Sequence, residues 1–328
     1  MYCSSAVFSS KQLYLWLLSS ITPQCRGADF CLTKMATIVN STVIPKNSTN
    51  FYHFLFTEIA DPRTNSWFLI KDPGPGLAIL IIWMYFVLNI GPKMMKDREP
   101  FDLRKTLIVY NLVQVIISSY IFIRGGIIGW FGKYSYKCQP IDYSDAPEAQ
   151  EMRHLMYLYF INKLLELLDT VFFVLRKKQN QVTFLHMYHH TVMPMVSWGG
   201  IKYVPGGHGT LIGFINCFVH IIMYSYYSLA AFGPKIQKYL WWKKYITAMQ
   251  LGQFCIVFIH NSQLFFRDCG YPTWTAFITA PNAVFFYFLF SHFYNQAYGS
   301  RKQSKKSDKN AKKIETNNNV SQKEIKAD

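Results

Sequence analysis

Residues 181–200 read QVTFLHMYHHTVMPMVSWGG, an apolar run that carries His186, His189 and His190. A helix of about 20 residues rises roughly 30 Å, which is the thickness of the hydrocarbon layer of a bilayer. Ionisable side chains are costly in hydrocarbon, so three of them in one predicted span indicate a functional site. Positions i, i+3 and i+4 of a helix share one face. The spacing therefore predicts that the three imidazoles converge on one place within the membrane.

The composition of the whole chain favours a membrane protein. Of its 328 residues, 51% are hydrophobic and 17% aromatic, whereas only 16% are charged. The charges are concentrated between long apolar runs, which is not the pattern of a soluble core. Seven runs have the roughly 17 to 25 residues that a helix needs to cross the hydrocarbon layer. They are predicted near residues 74–92, 107–131, 155–175, 183–201, 209–232, 245–266 and 280–298.

Lysine and arginine predict the orientation of these spans. Basic residues cluster after spans one, three and five and in the carboxyl-terminal tail, as at Arg98, Lys177, Lys243 and Lys312. By the positive-inside rule, the amino terminus is lumenal or external and the tail is cytosolic. We expect the net charge of +16 to reflect this topology, with a secondary attraction to anionic lipid head groups. No folded basic domain predicts binding to nucleic acid.

Two further features agree with a lumenal amino terminus. Asn40 and Asn47 begin Asn-Ser-Thr sequons, which are glycosylated only on the lumenal side. Cys138 and Cys269 fall in the predicted lumenal segments after spans two and six. Oxidising conditions there allow a disulfide between them, with two free thiols as the alternative.

The chain is predicted to have three regions. Residues 1–50 form a poorly ordered lumenal segment, residues 51–300 form the domain of seven spans, and residues 301–328 form a disordered basic tail in the cytosol. Residues 1–34 carry no clear signal-peptide cleavage pattern and are interpreted as an added extension, since Met35 is an alternative start.

The polar residues within the spans lie mostly in the cytosolic halves, whereas the lumenal halves are rich in Ile, Phe, Val and Leu. In span three, Lys163, Glu166 and Thr170 form one helical stripe, with Asp169 at its edge. The predicted fold is an all-α membrane protein whose seven transmembrane helices enclose a polar cytosolic chamber. That chamber continues into an apolar tunnel with a closed end. Such a site suits an amphipathic substrate with a polar head and a long acyl tail.

Most of these polar residues also have a structural interpretation. Lys163 and Glu166 either take part in catalysis or neutralise each other between helices. Gln250 and Gln253 either contact substrate or hydrogen-bond to neighbouring helices, and the tyrosines of span five either contact substrate or form an aromatic belt. Under the functional interpretation, the substrate contacts are Lys163, Glu166, Asn216, Tyr224, Tyr227, Gln250 and Gln253.

Four sequence blocks resemble the signature motifs of the very-long-chain fatty acid elongases. In chain order they are Lys163-x-x-Glu166-x-x-Asp169-Thr170, Gln181-x-x-Phe184-Leu185-His186-x-Tyr188-His189-His190, Asn216-x-x-x-His220-x-x-Met223-Tyr224-x-Tyr226-Tyr227 and Thr247-x-x-Gln250-x-x-Gln253. The resemblance covers roughly residues 50 to 300. It implies a seven-span enzyme of the endoplasmic reticulum that condenses malonyl-CoA with a fatty acyl-CoA, giving 3-ketoacyl-CoA and carbon dioxide.

The resemblance sets further expectations about partners. We expect no cofactor and no metal, and contacts with membrane lipid, with the reductases and dehydratase of the elongation cycle, and with a second copy of the chain. The dilysine-type retrieval signal of the family is matched only loosely, by Lys323 and Lys326 near the carboxyl terminus.

The condensation itself needs a transferable acyl group, an enolate formed by decarboxylation of malonate, and a group that stabilises the thioester oxygen. The intramembrane thiols, Cys217 and Cys255, lie outside the histidine box, and neutral imidazole is nucleophilic near physiological pH. We therefore predict that His189 forms an acyl-imidazole and releases CoA before malonyl-CoA binds. His220 then positions the malonyl group or polarises a carbonyl, and Asp169 orients an imidazole. Histidine acting only as a general base is the alternative.

Two other protein classes share part of this pattern. A membrane di-iron desaturase or hydroxylase also uses a His-x-x-His-His box, but it needs several boxes, and this chain has nine histidines and one box. A seven-span receptor shares the topology, but its ligand pocket usually opens outward, whereas the ionisable cluster here is predicted on the cytosolic side. The sequence does not predict the preferred acyl chain length.

Overall fold

The computed structural model describes residues 51–299, and the regular structure of this part of the chain is helical throughout. The chain divides into two units after Glu58. Within the first unit, residues 51–58 form the short helix Phe51–His53 and a π-helical turn, Phe54–Glu58. Residues 59–299 belong to the second unit. The predicted glycosylation sites Asn40 and Asn47 and the basic tail lie outside the described residues.

The second unit is built from long helices. They are α1 (Pro73–Tyr85), α2 (Arg104–Gly125), α3 (Pro147–Leu165), α4 (Leu167–Leu175), α5 (Phe184–Tyr203), α6 (Thr210–Ala231), α7 (Lys243–Ser262) and α8 (Trp274–Tyr294). α1 continues through a π-helical turn, Phe86–Ile90, into the short helix Gly91–Met95. α2 and α8 also end in π-helical turns, Gly126–Trp130 and Asn295–Gly299. Shorter helical turns connect some of these helices, as at Gln179–Gln181 and Pro234–Gln237.

Prolines account for two differences between these helices and the predicted spans. α3 begins at Pro147 instead of near residue 155, because a proline in the first turn lacks only an N–H that has no helical partner. α8 begins at Trp274 instead of near residue 280 and contains Pro281 in its interior. Packing against neighbouring helices allows a membrane helix to tolerate such a proline.

Four helical segments are long and apolar enough to cross a bilayer: Pro73–Met95, Arg104–Trp130, Gly207–Ala231 and Trp274–Tyr298. They give the chain the character of a membrane protein. The predicted spans three, four and six correspond to α3 with α4, to α5 and to α7, and these helices carry the polar residues singled out above. A topology of seven spans stays a prediction.

Six helices surround a common interior. Helix contacts join α2 to α6, α6 to α7, α7 to α8, α8 to α5, α5 to α3, and α3 back to α2. The α2–α6 pair is packed most extensively, and the α5–α8 pair least. These contacts close a ring, so side chains from helices distant in sequence can meet inside it.

α1 does not belong to this ring and packs instead on α4. Leu80, Trp83 and Val87 form a buried cluster with Leu167 and Val174. The indole N–H of Trp83 donates a hydrogen bond to the carbonyl of Leu167 at 2.9 Å. α1 therefore supports α4 and the ionisable residues at its start.

Connecting loops cover one end of the ring, where α5 and α7 end and α6 begins. A disulfide joins Cys138 to Cys269, and the His208 and His260 rings stack with their centroids 3.6 Å apart. Lys202 is fully buried at the end of α5 and donates hydrogen bonds to the Ile70 and Lys71 carbonyls and to Asn65. We call this assembly of Cys138, Lys202, His208, His260 and Cys269 the loop cap.

Candidate active site

The three box histidines lie together in the first turns of α5. Thr183 caps this helix, since its hydroxyl accepts a hydrogen bond from the His186 amide. The rings of His186 and His190 have centroids 4.2 Å apart, and those of His189 and His190 are 5.2 Å apart. His186 Nε2 is also 2.8 Å from the Thr170 hydroxyl of α4. The box is therefore anchored on α4 through its first histidine.

A buried charge pair occupies the junction between α3 and α4. Lys163 Nζ lies 2.8 and 2.9 Å from the two carboxylate oxygens of Glu166, and both side chains are only 1% exposed. Asn162 donates a further hydrogen bond to Glu166 at 3.2 Å. His220 Nδ1 of α6 lies 3.1 Å from the same carboxylate. Glu166 thus connects a cation on α3 to an imidazole on α6.

The box histidines and the charge pair lie close to each other. His189 lies within charge-interaction range of Lys163, Glu166 and His220, and its ring contacts Phe286 of α8 edge-on with centroids 5.5 Å apart. We call the set of Lys163, Glu166, His186, His189, His190 and His220 the polar layer. Four helices, α3, α4, α5 and α6, meet at this layer.

Asp169 has a different partner from the one that the sequence predicted. Its carboxylate accepts a hydrogen bond of 2.7 Å from the Tyr224 hydroxyl, and it accepts none from a histidine among residues 51–299. Glu166 is instead the carboxylate beside an imidazole. Glu166 falls on the stripe of Lys163 and Thr170 and is as buried as they are, so its role is readable only once α6 is placed against α4.

The other predicted substrate contacts fall into two groups. Asn216 accepts a hydrogen bond from Tyr159 of α3 at 3.0 Å, and Gln250 contacts the Met223 sulfur at 3.6 Å. These two side chains therefore join neighbouring helices. Gln253 is buried with its amide oxygen unpaired. Tyr227 is 42% exposed, and its ring contacts that of Tyr224 near the end of α6.

A cavity of about 400 Å³ lies inside the ring. On α5 it begins at Val192, less than one turn beyond His189, and extends along Val196 to Tyr203. Its walls are mostly apolar and come from α2, α3, α5, α6 and α8; among its lining residues are Ile121, Met152, Leu155, Met156, Phe214 and Ile278. Towards the loop cap, the wall includes Trp130, whose indole N–H donates to Thr210 at 3.0 Å. A polar layer thus stands directly beside an apolar cavity.

A polar stripe in α2 was not predicted from the sequence. Asn111, Gln114 and Ser118 are buried on one face of this helix. Their spacing of three and four residues inside an apolar run was a readable signal of an inward polar face. The predicted span is strongly apolar on average, so this polar face was not recognised.

Neither of the free thiols in the part of the chain that the structure describes lies in the polar layer. Cys217 is buried against Ile121 and Tyr159, and Cys255 is exposed on α7. Among the described residues, no group of three or more His, Cys, Asp and Glu side chains is placed to hold a metal ion.

Comparisons with known proteins agree with the motifs. The profile of the GNS1/SUR4 (ELO) family matches residues 68–307. The chain is 50% identical to very long chain fatty acid elongase 7 of Drosophila melanogaster over 243 residues, which is 74% of each chain. It is 47% identical over 242 residues to elongase 7 of Rattus norvegicus, covering 73% of this chain and 86% of the relative. It is 43% identical over 274 residues to elongase 4 of Homo sapiens, covering 84% and 85%. The resemblance predicted from the four blocks is confirmed, and the chain belongs to the ELO (GNS1/SUR4) family.

Proposed function

We propose that this protein catalyses the condensing step of fatty acid elongation. It joins malonyl-CoA to a long-chain acyl-CoA and gives 3-ketoacyl-CoA, carbon dioxide and free CoA. The observation that carries the proposal is the position of the histidine box on α5, less than one turn before Val192, where an apolar cavity begins. The names of the relatives support the same substrate class.

The cavity suits the tail of a fatty acyl group. Ligand sites of roughly 300 to 1,000 Å³ with apolar walls bury most of the surface of their ligands, and the cavity here has about 400 Å³. Each buried CH₂ group contributes about 0.8 kcal/mol. A tail directed towards the loop cap leaves the thioester carbonyl beside the polar layer, where His189 lies.

In the first half-reaction, His189 attacks the thioester carbonyl. A C–N bond forms, the C–S bond breaks, and CoA leaves with the proton of the imidazole. The product is an acyl-imidazole, which is reactive enough to pass the acyl group onward. Because Cys217 and Cys255 lie elsewhere, an imidazole is the nucleophile that this site offers.

In the second half-reaction, malonyl-CoA loses carbon dioxide and the resulting enolate attacks the acyl carbonyl. A C–C bond forms, and the imidazole leaves with the electron pair of the C–N bond and takes up a proton from water, which restores His189. His220 is suited to position the malonyl group or to polarise its carbonyl, because Glu166 holds it from one side. Lys163 compensates the charge of Glu166, which keeps this imidazole from facing an unpaired carboxylate.

The closest competitor is a ternary complex in which the histidines act only as general bases. Incubation with acyl-CoA alone discriminates between the two. The acyl-imidazole route releases CoA and leaves an acyl increment in the intact mass, and malonyl-CoA then discharges it. Release of CoA only after malonyl-CoA is added, with no mass increment, supports the ternary complex instead. His220→Ala should retain part of the adduct if His220 serves the malonyl half.

The cellular setting is part of the proposal. We place the protein in the endoplasmic reticulum membrane with seven spans, its amino terminus in the lumen and its tail in the cytosol. The Cys138–Cys269 disulfide suits the lumen. Sealed microsomes test this: glycan is expected on Asn40 or Asn47, and the tail should be open to protease. A protected tail would reverse the orientation. Membrane lipid, the reductases and dehydratase of elongation and a second copy are the proposed partners.

A further inference from the structure

One face of α2 holds all of the buried residues of that helix. They are Asn111, Gln114, Ser118, Ile121 and Gly125, and their spacing places them in one stripe along the helix. Ile121 and Gly125 line the apolar cavity. The three polar members therefore continue the same wall of the ring, on the side of the cavity that leads towards the polar layer.

Two side chains of this stripe lack hydrogen-bond partners. Gln114 is fully buried, and neither its amide nitrogen nor its oxygen has a partner among the described residues. The Ser118 hydroxyl is equally buried and equally unpaired. Buried polar groups in proteins nearly always have a hydrogen-bond partner. The unpaired groups of Gln114 and Ser118 are therefore suited to bind a ligand.

The packing of α2 on α6 shows how far along the ring axis Gln114 and Ser118 lie. Ile121 of α2 shares a buried cluster with Cys217 of α6. The two helices run antiparallel, because Tyr110 near the start of α2 packs on Tyr224 near the end of α6, and Trp130 just beyond α2 hydrogen-bonds to Thr210 at the start of α6. Ser118 lies about one turn before Ile121 in α2, and His220 lies about one turn after Cys217 in α6. Because the helices are antiparallel, both steps lead in the same direction in space. Ser118 is therefore level with the imidazole that contacts Glu166, and Gln114 lies one turn further along.

We propose that the Gln114 carboxamide and the Ser118 hydroxyl donate hydrogen bonds to the carbonyl oxygen of the acyl group as it reacts. The stripe changes from apolar to polar between Ile121 and Ser118, and a fatty acyl group makes the same change at its carbonyl carbon. With the tail in the cavity, the carbonyl reaches these two donors. This inference rests on the proposed function, because it assumes an acyl group in the cavity.

The two donors would act on the charge that develops in the reaction. When an imidazole or an enolate adds to the carbonyl carbon, the oxygen becomes negative. Side chains of Gln and Ser are among the groups that stabilise such an oxyanion, and removal of one donor typically lowers kcat roughly 10²-fold or more. Gln114 and Ser118 are thus assigned as catalytic residues that contact the reacting group.

Kinetics of matched variants test the assignment. Gln114→Met keeps nearly the same volume without the donors, and we expect kcat to fall roughly 10²-fold, with a smaller rise in the KM for acyl-CoA. The thermal unfolding midpoint should not fall, because the variant removes an unpaired buried amide. Ser118→Ala is the milder second variant and should also lower kcat. Ser119→Ala, at the neighbouring and less buried position, is the control and should behave as wild type.

Binding of two substrate analogues provides a readout that does not depend on turnover. An S-(2-oxoalkyl)-CoA keeps a carbonyl next to the sulfur-bearing carbon, whereas the S-alkyl-CoA of equal length has none. Wild type should prefer the oxo analogue, and Gln114→Met should lower this preference roughly tenfold, which corresponds to about 1.4 kcal/mol. Ser119→Ala should keep the preference.

The result that would overturn the inference is a wild-type kcat together with a wild-type preference for the oxo analogue in both Gln114→Met and Ser118→Ala. The two groups would then be bonded only to water. Failure of the proposed function looks different: wild-type protein would convert no labelled malonyl-CoA to 3-ketoacyl-CoA, whatever residue 114 is.

Discussion

Lys163 in the polar layer and Lys202 in the loop cap are both buried, yet their ammonium groups have different partners. Lys163 binds the two carboxylate oxygens of Glu166. Lys202 donates to Asn65 and to two backbone carbonyls of the loop 59–72. A lysine paired with a carboxylate sets the charge of a site, whereas a lysine that binds carbonyls fixes the course of a loop.

The histidines of the two regions differ in the same way. In the polar layer, His186 and His190 pack ring against ring, and His186 meets a threonine hydroxyl on another helix. In the loop cap, His208 and His260 stack and each places Nε2 within 3.1 Å of the backbone carbonyl of the other. The residue type is the same in both places, and His190, His208 and His260 are all buried. The histidines differ in their partners. Those of the polar layer contact side chains, as expected of a reactive site, whereas those of the loop cap contact backbone carbonyls, as expected of a structural role.

The largest effect is expected from replacing one histidine in each region by glutamine. His189→Gln should lower condensation roughly 10⁴-fold or more, as loss of a nucleophile does elsewhere, with little change in thermal stability. His260→Gln should instead destabilise the protein, since His260 Nδ1 also contacts the Tyr136 carbonyl. Activity per folded molecule and the unfolding midpoint in detergent measure the two effects. If His260→Gln removes activity from fully folded protein, the loop cap does not serve stability alone, and the distinction between the two regions is wrong.

The two lysines give the next largest effect. Lys163→Met leaves the Glu166 carboxylate buried without its cation, which should cost about 3–5 kcal/mol. Lys202→Met leaves carbonyls unpaired and should cost about 1–3 kcal/mol. Denaturant unfolding measures both.

A second change at Glu166 sharpens this comparison. Lys163→Met combined with Glu166→Gln should recover most of the lost stability, because no charge is then buried alone, but it should not recover activity. Recovery of activity in the double variant would mean that the pair only neutralises itself, which was the structural interpretation drawn from the sequence.

The sequence predicted the polar layer better than the loop cap for a physical reason. The box histidines, Lys163 and Glu166 stand out because ionisable groups are rare in apolar helices, and helical spacing alone groups them by face. Loop residues have no such period. The buried roles of Lys202, His208 and His260 depend on carbonyls that come close only when the ring closes.

Contacts between side chains of different helices also could not be predicted from the sequence pattern. Asp169 and Glu166 are both acidic residues of one segment, and spacing cannot decide which of them meets an imidazole. The register of α6 against α4 places Tyr224 at Asp169 and His220 at Glu166. Gln114 was missed because it lies with few other polar residues in a span whose mean hydropathy is high.

Removing the disulfide of the loop cap tests whether this region serves stability alone. The bond between Cys138 and Cys269 closes a loop with a sequence separation of 131 residues, and loss of a native disulfide typically costs about 2–5 kcal/mol. Cys138→Ala with Cys269→Ala should lower the unfolding midpoint and leave the turnover of folded protein near wild type. Non-reducing peptide mapping should find the bond in wild type. Two free thiols there would contradict the assignment.

The smallest expected effect concerns the cavity that separates the two regions. Gly213 lines it, and a Cβ added there would lie 3.7 Å from the Tyr159 ring, which is ordinary contact. The larger side chain of Gly213→Leu should therefore fill cavity volume instead of displacing the helix. If the acyl tail occupies this space, the longest product should shorten by about one two-carbon unit. Two CH₂ groups contribute about 1.6 kcal/mol of burial, or roughly tenfold in preference. Gly252→Leu is the matched control, because Gly252 is exposed on α7 and a Cβ there meets nothing within 4 Å. Product profiles from a panel of acyl-CoAs measure the shift, and an unchanged profile in Gly213→Leu would place the tail outside the ring.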